Sequence, residues 1–251
     1  MTRIVRHATH MLYGVYAWIA FTAVSLPALA LIVITPGLAN RRRLAKHSAR
    51  LAFRLMGMPM TIRNASALPS ISCVVVANHA SYLDGVILTA ALPANFSFVI
   101  KREVRKLPVA HLLLRRLGSH FVDRFDRHRS AMDTRRMLRA AHAGQALAFF
   151  PEGTFEPEPG LRAFRTGAFA TAVRARLPVV PVAIKGSRGI LPASAVLPRP
   201  GRLEIEICEL LEVHEDGAGY TALELKRLAR ASVLAVLDEP DLTCQAQGPV
   251  A

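Results

Sequence analysis

The 251-residue chain has no acidic side chain before Asp84, whereas the same stretch carries nine lysine and arginine residues. With a formal net charge of +14, the chain is expected to bind an anionic partner, which could be nucleic acid, a bilayer surface or an acidic substrate. The sequence lacks the zinc-ligand spacing, the helix-turn-helix pattern and the aromatic-and-basic platform that are typical of nucleic-acid-binding proteins. We therefore predict a lipid bilayer as partner and no nucleic acid.

Cysteine is also scarce, and the three cysteines, Cys73, Cys208 and Cys244, are far apart and lack CxxC spacing. This pattern argues against a disulfide framework and against a structural zinc site, and it is consistent with a reducing, cytoplasm-facing location. Aromatic residues make up only 6% of a chain that is 52% hydrophobic, so leucine, alanine and valine must supply the core.

Residues 11–39 form a run of 29 residues without a charged side chain. A helix needs about 20 apolar residues to span a bilayer, so the run is long enough. Pro27 and Pro36 interrupt it, which leaves two possibilities: a kinked single span, or a hairpin that enters one leaflet and returns.

A cleaved signal peptide is the alternative to a retained anchor. Arg3 and Arg6 could form its basic region, and the ALA tripeptide at residues 28–30 resembles a cleavage site. The apolar run continues beyond that tripeptide, however, and three arginines follow at residues 41–43. Signal peptides have apolar regions of only about 7–15 residues, so we expect a retained anchor.

Residues 41–58 have the periodicity of a basic amphipathic helix. One predicted face carries Leu44, Ser48, Leu51, Leu55 and Met58, and another carries Arg43, Lys46, Arg50 and Arg54. After an apolar anchor, such a helix is expected to lie at the membrane interface rather than to be an ordinary solvated helix. The positive-inside rule then places the arginine-rich end, and the chain that follows, at the cytoplasmic face of the cell membrane.

From residue 71 onward, short apolar runs alternate with helical patterns. Strands are predicted at residues 71–77, 96–100, 145–150, 179–184 and 203–207, and helices at 109–117, 129–143, 162–175 and 221–237. This alternation predicts an α/β fold with a mixed, mostly parallel sheet flanked by helices, preceded by an N-terminal membrane-anchoring helical segment. The predicted division is an anchor with its basic helix at 1–60, a catalytic domain at 61–240 and a tail at 241–251. Residues 189–201 are predicted to be a loop, and the chain after Asp238 is expected to fray.

His79 follows the first predicted strand, and Asp84 stands five positions later. Such an aspartate can accept a hydrogen bond from one ring nitrogen and fix the tautomer, so that the other nitrogen is free to take a proton. The alternative is a helix-capping aspartate beside an incidental histidine.

Three later segments bear on this choice. Residues 117–124 (LGSHFVDR) place a strand-like stretch before an Asp-Arg pair, FFPEGT at 149–154 ends a strand in a turn with a carboxylate, and VVPVAI at 179–184 is an apolar strand with a proline. Taken singly, they would be a surface ion pair, a turn and a core strand.

In this order, the segments resemble the glycerolipid acyltransferases that transfer acyl chains to lysophosphatidic acid. That family has an NHxSxxD block, a GxxFxDR block, an FPEGT block and a later VPV-type block, and all four stand here between about residues 73 and 187. The resemblance does not extend with comparable motifs over the first 70 or the last 60 residues.

The resemblance implies a role for each matching residue. His79 would be the catalytic base and Asp84 the residue that orients it. The implied substrate-binding residues, which shape the acceptor pocket or lie near its phosphate, are Lys101, Arg124, Glu152, Gly153 and Thr154.

Phe155 departs from the pattern, because the family has arginine after FPEGT. The resemblance therefore does not identify the acceptor head group, and Arg162 and Arg165 are candidates to replace the missing arginine.

The resulting hypothesis is transfer of a fatty acyl group, without a covalent intermediate, from acyl-carrier protein or acyl-CoA to a lysolipid hydroxyl. The preferred acceptor is 1-acylglycerol-3-phosphate, which would give phosphatidic acid. Ser81 is more readily explained as a helix cap than as a nucleophile, and no GxSxG elbow is present. We predict no cofactor and no metal, because the histidines lack HExxH or other ligand spacing.

Two other lipid enzymes and one non-enzyme remain possible. The same His-Asp pair could serve an acyltransferase for a different lysolipid, or it could activate water in a lipid hydrolase. The chain could also be a membrane scaffold that has kept the fold without catalysis.

Overall fold

The computed structural model describes residues 2–122, 127–213 and 220–243, with backbone only for 2–7 and 127–134. The strands are β1 Met60–Arg63, β2 Val74–Ala77, β3 Phe96–Lys101, β4 His120–Val122, β5 Ala146–Phe149, β6 Val179–Lys185 and β7 Leu203–Ile207. The helices are α1 Thr2–Ile34, α2 Leu38–Leu55, α3 Asp84–Ala91, α4 Pro108–Arg116, α5 Arg127–His142, α6 Gly167–Ala175, α7 Ser187–Ile190 and α8 Ala222–Val236. Two 3₁₀ turns stand at Ala65–Ala67 and Arg102–Lys106.

Within the described residues the strands form one sheet in the order β1-β7-β6-β2-β5-β3-β4. The β6–β7 pair is antiparallel, and every other neighbouring pair is parallel. The predicted α/β fold with a mixed, mostly parallel sheet is therefore confirmed.

The central strand β2 is buried on both faces, as expected when helices cover both sides of a parallel sheet. Because side chains alternate along a strand, Val75 and Ala77 enter one hydrophobic core with Phe53 of α2 and Ile87 of α3. Val74 and Val76 enter the opposite core, which contains residues of α5, α6 and α8. The sheet thus separates an N-terminal helical layer from a C-terminal one.

Helix α1 continues through Pro27 and ends at Ile34, and α2 returns beside it as an antiparallel partner. The Tyr13 hydroxyl donates to the Met56 carbonyl oxygen at 2.8 Å, so the first half of α1 lies beside the end of α2. Of the helices in the described residues, only α1 has a stretch, Ala8–Ile34 with a mean hydropathy of 2.3, that is long and apolar enough to cross a membrane. The run is therefore one helix through Pro27 as far as Ile34, and after a break at residues 35–37 its last residues begin α2.

The helix predicted at 41–58 is present as α2, but its buried face is different from the predicted stripe. Leu51 is 48% exposed, whereas the residues that pack inward are Arg42, Ala45, Ala49, Ala52 and Phe53. The small alanine side chains let α1 and α3 approach closely. The buried face therefore lacks the regularly spaced leucines from which an apolar helix face is predicted.

Three further predictions need correction. The helix predicted at 162–175 begins only at Gly167, because residues 162–165 have no regular secondary structure and are bound to the FPEGT turn, where the Arg165 amide donates to the Pro151 carbonyl oxygen. The loop predicted at 189–201 begins with the end of α7. The chain from Asp238 to residue 243 was expected to fray but is bound to the domain, since Arg230 binds Asp241 through both carboxylate oxygens. The predicted division at 60 and 240 stays a prediction.

Candidate active site

The His79 turn follows β2 and is fixed to the neighbouring strand by Asn78. The Asn78 amide donates to the Ile184 carbonyl oxygen at 3.0 Å and accepts from the Ile184 amide at 2.7 Å, so the side chain extends the β2–β6 pairing by one rung. Because Asn78 is buried, these bonds are shielded from water and hold the start of the turn in place.

Asp84, the first residue of α3, binds the ring of His79. Its Oδ2 atom accepts from His79 Nδ1 at 2.9 Å, from the Ala80 amide at 2.6 Å and from the Ser81 amide at 2.8 Å. The carboxylate is fully buried, while 20% of the His79 side chain is exposed. Since Oδ2 also accepts from two backbone amides, the ring donates to it through Nδ1–H, and in the neutral imidazole the lone pair is then on Nε2. The predicted pair is therefore brought together with the predicted orientation.

Ser81 takes part in the turn through its hydroxyl group. The hydroxyl donates to the Leu191 carbonyl oxygen at 2.8 Å and accepts from the Leu83 amide at 3.2 Å, and the residue is fully buried. The N-cap of α3 is Leu83, so the predicted helix-capping role of Ser81 is wrong. Ser81 instead joins the turn to the segment after α7.

Glu152 connects the FPEGT turn to the His79 turn. Its Oε1 accepts from the His79 backbone amide at 2.7 Å, and its Oε2 accepts from the Arg162 backbone amide at 2.9 Å. The side chain is only 5% exposed, and this burial raises the pKa of Glu152 to about 7 despite the two donors. The carboxylate is thus engaged with backbone groups, while the neighbouring Gly153 and Thr154 line the cavity described below.

Aromatic rings enclose His79 on two sides. The Phe150 ring stacks on the imidazole with centroids 4.3 Å apart, and the Phe155 ring meets it edge-on at 4.5 Å. Tyr82 in turn lies edge-on against Phe155 at 4.8 Å. Phe150 and Tyr82 stood within the recognised blocks, but the sequence alone gave no sign that they would contact the histidine or Phe155.

His79 lines an apolar cavity of about 810 Å³. The cavity lies between α1, α2, α3, α4 and β3, and its apolar wall includes Phe21, Leu29, Ile32, Val86, Leu113 and Leu114. Lys101, Glu103 and Lys106 are the charged residues along it in the described part of the chain. A histidine base is therefore placed beside a compartment suited to a hydrocarbon chain.

Of the seven predicted site residues, His79, Lys101, Gly153 and Thr154 line the cavity, and Asp84 and Glu152 bind His79. Arg124 lies outside the described residues. Arg162 and Arg165 are the candidates to replace the arginine that the family has where this chain has Phe155. Neither lines the cavity in the described part of the chain. The Arg162 side chain pairs with Glu156, and Arg165 is exposed. Among the described residues, no group of three or more histidine, cysteine, aspartate or glutamate side chains could hold a metal ion.

Comparison with known proteins relates this site to characterised families. Curated relatives include a chloroplastic 1-acyl-sn-glycerol-3-phosphate acyltransferase from Brassica napus, 30% identical over 49% of this chain and 36% of its own length. Another is a lyso-ornithine lipid O-acyltransferase from Pseudomonas aeruginosa, 34% identical over 57% of this chain and 54% of its own length. The chain thus spans about a third to a half of the length of these relatives.

A solved structure, that of the 1-acyl-sn-glycerophosphate (LPA) acyltransferase PlsC from Thermotoga maritima, has the same fold. Its TM-score is 0.77 at 21% identity, over 97% of this chain and 99% of that one. The model of the Acyltransferase family matches residues 59–185, a range that contains His79, Asp84 and the FPEGT turn. The chain belongs to the acyltransferase family.

Proposed function

We propose that this chain is an O-acyltransferase that moves a fatty acyl group from a thioester donor, acyl-carrier protein or acyl-CoA, to the free hydroxyl of a lysolipid. The observation that carries the proposal is the His79–Asp84 pair, whose histidine lines the apolar cavity. The cavity volume falls within the range of about 300–1,000 Å³ that is usual for ligand pockets. An acyl chain in this cavity would bring its carbonyl carbon close to the histidine.

In the proposed reaction, His79 Nε2 removes the proton of the acceptor hydroxyl as its oxygen attacks the thioester carbonyl carbon. Asp84 stabilises the protonated imidazole, and the C–S bond then breaks and releases the thiolate, which takes up the proton. General-base help of this kind typically contributes about 10²–10⁴ in rate. No serine or cysteine nucleophile is needed.

The FPEGT turn is the proposed source of hydrogen bonds to the tetrahedral oxyanion. Gly153 adopts φ 82°, a conformation that glycine reaches without strain, and its amide donates to the Phe150 carbonyl oxygen at 3.1 Å. The amides of Thr154 and Phe155 are then the next backbone donors of this turn, and both residues line the cavity. We assign them as the donors of the oxyanion hole.

The preferred acceptor is 1-acylglycerol-3-phosphate, which would yield phosphatidic acid. Lys101 lies along the cavity and could bind the phosphate, together with Arg124, and a curated relative carries the name of this activity. A second candidate is a less anionic lysolipid. Phe155 presents an apolar ring beside His79, and the Pseudomonas aeruginosa relative is named for a lyso-ornithine lipid.

We further propose that the protein is bound to the cytoplasmic face of the cell membrane through α1. This helix is held along the domain: Trp18 Nε1 donates to the Val196 carbonyl oxygen at 2.7 Å, and the Arg116 guanidinium donates to the Val33 carbonyl oxygen. A helix fastened to one domain at its middle and at its C-terminal end fits a single leaflet better than a complete crossing. Its outward face includes Leu12, Ile19 and Leu26, all exposed.

The test is a lipid assay of purified protein with lysophosphatidic acid, a lyso-ornithine lipid and lysophosphatidylcholine, each with acyl-carrier protein and CoA thioesters, resolved by mass spectrometry. A new ester on a lysolipid, lost in His79→Ala, supports acyl transfer. Release of free fatty acid without ester formation would indicate a hydrolase instead, and turnover by neither route would leave only the scaffold hypothesis.

A further inference from the structure

A short apolar projection precedes and begins α4, on the far side of the cavity from α2. Leu107, Val109 and Leu112 are 60%, 63% and 44% exposed, and no residue of α4 is buried. Large apolar side chains that stand together on a surface usually mark a site of contact with a protein or a membrane.

This projection is continuous with the apolar surface of α1. Val109, Leu112 and Arg116 are spaced by three and four residues, so they share one face of α4. Since the Arg116 guanidinium donates to the Val33 carbonyl oxygen, this face is directed to the last turn of α1. Ile34, in that turn, is 75% exposed.

The charges around the projection are almost all positive. Residues 85–122 contain six lysine and arginine side chains, and Glu103 is the only acidic side chain in that stretch. Arg105, Lys106 and Arg115 are exposed beside the apolar residues. Apolar tips surrounded by basic side chains suit the boundary between acyl chains and anionic head groups.

We propose that residues 105–116 form a second membrane contact, which inserts Val109 and Leu112 into an anionic bilayer beside α1. Because α1 and α4 both line the cavity, this contact would bring the cavity next to the leaflet. A lysolipid could then reach His79 by lateral movement without entering water. The proposal rests on the proposed function in taking a lipid as the substrate and α1 as the part of the chain that binds the membrane.

An acidic carrier protein would also be attracted by the basic side chains. Continuity with the apolar face of α1 favours the bilayer, because a carrier protein would leave that larger apolar surface uncovered. The two occupants give opposite results in the following experiment.

A fluorophore sensitive to polarity is attached to Val109→Cys in full-length protein carrying Cys244→Ser. The native Cys73 and Cys208 are buried, and burial raises the pKa of these thiols to about 12 and about 11, so they should not react. Leu223→Cys on α8, which is 63% exposed like Val109, is the control. The vesicles contain phosphatidylcholine and phosphatidylglycerol with a quencher in their acyl chains.

The expected result is quenching and a blue shift at position 109 and neither at position 223. Equal spectra at the two positions would overturn the proposal. Shielding at position 109 by added acyl-carrier protein, without quenching by vesicles, would also overturn it and identify a protein-docking surface.

Activity provides an independent readout. Val109→Asp with Leu112→Asp is compared with Tyr220→Asp with Leu223→Asp, a pair of matched exposure just before α8 and in its first turn. The α4 variant should lose roughly tenfold in turnover of vesicle-embedded lysolipid but less than about twofold on a monomeric short-chain lysolipid, whereas the α8 variant should retain both. Equal losses on both substrates would contradict a membrane role. If wild type acylates neither lipid, the proposed function fails while the quenching result still decides the membrane contact.

Discussion

Asp84 Oδ2 receives hydrogen bonds from the ring of His79 and from two backbone amides, so this carboxylate both orders the turn and orients the base. Asparagine could keep an oxygen acceptor for the same donors, but it lacks the negative charge that stabilises a protonated imidazole. We therefore expect Asp84→Asn to fold normally and to lower kcat/KM on the order of 10²–10³-fold, and His79→Ala to abolish transfer. Steady-state kinetics and thermal melts of both variants test this, and His79→Ala activity within about threefold of wild type would contradict the assignment.

Glu152 should make stability depend on pH, because burial raises its pKa to about 7 from an ordinary value of 4.5. Between these values the folded chain binds the proton more tightly than the unfolded chain does. The contribution to the free energy of unfolding is thus fully present below pH 4.5 and is lost as the pH rises through 7, by at most about 1.4 kcal/mol per pH unit.

The measurement for Glu152 is the difference in unfolding free energy between wild type and Glu152→Gln, whose amide does not titrate, across this pH range. As the pH rises, the free energy of unfolding of wild type should fall relative to that of Glu152→Gln. A constant difference would mean that Glu152 is ionised throughout and is satisfied by the His79 and Arg162 amides.

On our proposal, Phe155 determines how much negative charge the site accepts on the acceptor head group. With Phe155 against His79, and with Arg162 paired to Glu156, the described part of the site offers Lys101 for a phosphate. If Lys101 and Arg124 suffice, wild type accepts lysophosphatidic acid, and Phe155→Arg leaves the acceptor preference nearly unchanged.

The comparison for Phe155 is kcat/KM for lysophosphatidic acid and for a zwitterionic lysolipid in wild type and Phe155→Arg, with Phe155→Leu as the uncharged control. Arginine can bind phosphate through two parallel hydrogen bonds, which neither phenylalanine nor leucine can do. A wild type that acylates only the zwitterionic lipid, with arginine alone shifting activity toward phosphate, would contradict our preferred acceptor while leaving acyl transfer intact.

At the scale of elements, α2 is joined to the sheet by a buried arginine. Arg42 donates to the Leu117 carbonyl oxygen at 2.9 Å and to the Asn95 carbonyl oxygen at 3.0 Å, and its second terminal nitrogen bonds to Ser97 Oγ. Burial lowers the pKa of Arg42. The guanidinium therefore satisfies acceptors before β3, within β3 and after α4 at the same time.

Arg42→Ala should lower the free energy of unfolding by about 2–4 kcal/mol, because it leaves several buried acceptors without donors. Its neighbour Arg43 is exposed and bonds only to Asn40 among the described contacts, at 3.4 Å, so Arg43→Ala should change stability by less than about 0.5 kcal/mol. Denaturant unfolding in detergent measures both. Equal stability of the two variants would show that the Arg42 network contributes little.

The elements predicted from sequence are those with a strong local pattern. The apolar strands β2 and β6 and the long helices α1, α5 and α8 have periodicity or run length that depends on their own residues. The edge strand β1 is short and half exposed, and its pairing with β7 joins residues far apart in the chain, so no local pattern indicated it.

The contacts of the site also divide into those that the local sequence predicts and those that it does not. The His79–Asp84 contact lies within five residues and could be predicted from spacing, whereas the Glu152 bond to the His79 amide links positions 73 residues apart. Residues 162–165 have a helical composition, but the amides of Arg162 and Arg165 are bound to the FPEGT turn, and the helix begins only after them. Apart from the run of three arginines at residues 41–43, nothing in the sequence indicated that Arg42 would be buried and hydrogen-bonded to β3.

At the scale of the whole molecule, the sheet supplies the turns that hold the base, and the N-terminal helices supply much of the hydrocarbon compartment. Helix α1 contributes to the cavity wall from Phe21 to Ile32, so the anchor is also part of the site. An apolar helix that both closes the cavity and faces lipid would place the reaction at the membrane surface. The position of α1 relative to the bilayer is thus central to how substrate enters.

If α1 lies in one leaflet, both of its ends remain on the side of the catalytic domain. His10 and Asn40 flank the apolar run and are exposed. In sealed vesicles with the domain outside, a membrane-impermeant maleimide should label His10→Cys and Asn40→Cys equally, each in a Cys244→Ser background. The same protein without an added cysteine is the control, because Cys73 and Cys208 are buried.

A transmembrane helix predicts a different pattern, in which position 40 is labelled in intact vesicles and position 10 reacts only after detergent opens them. Such a crossing would have to break the Tyr13 and Trp18 hydrogen bonds to the Met56 and Val196 carbonyl oxygens, and each lost bond would cost about 1 kcal/mol or more. It would also separate Gly14 from Leu197, whose Cβ lies only 2.7 Å from the place a Gly14 Cβ would occupy. Because these contacts are compatible only with α1 beside the domain, we expect equal labelling, and protection of position 10 would contradict the single-leaflet arrangement.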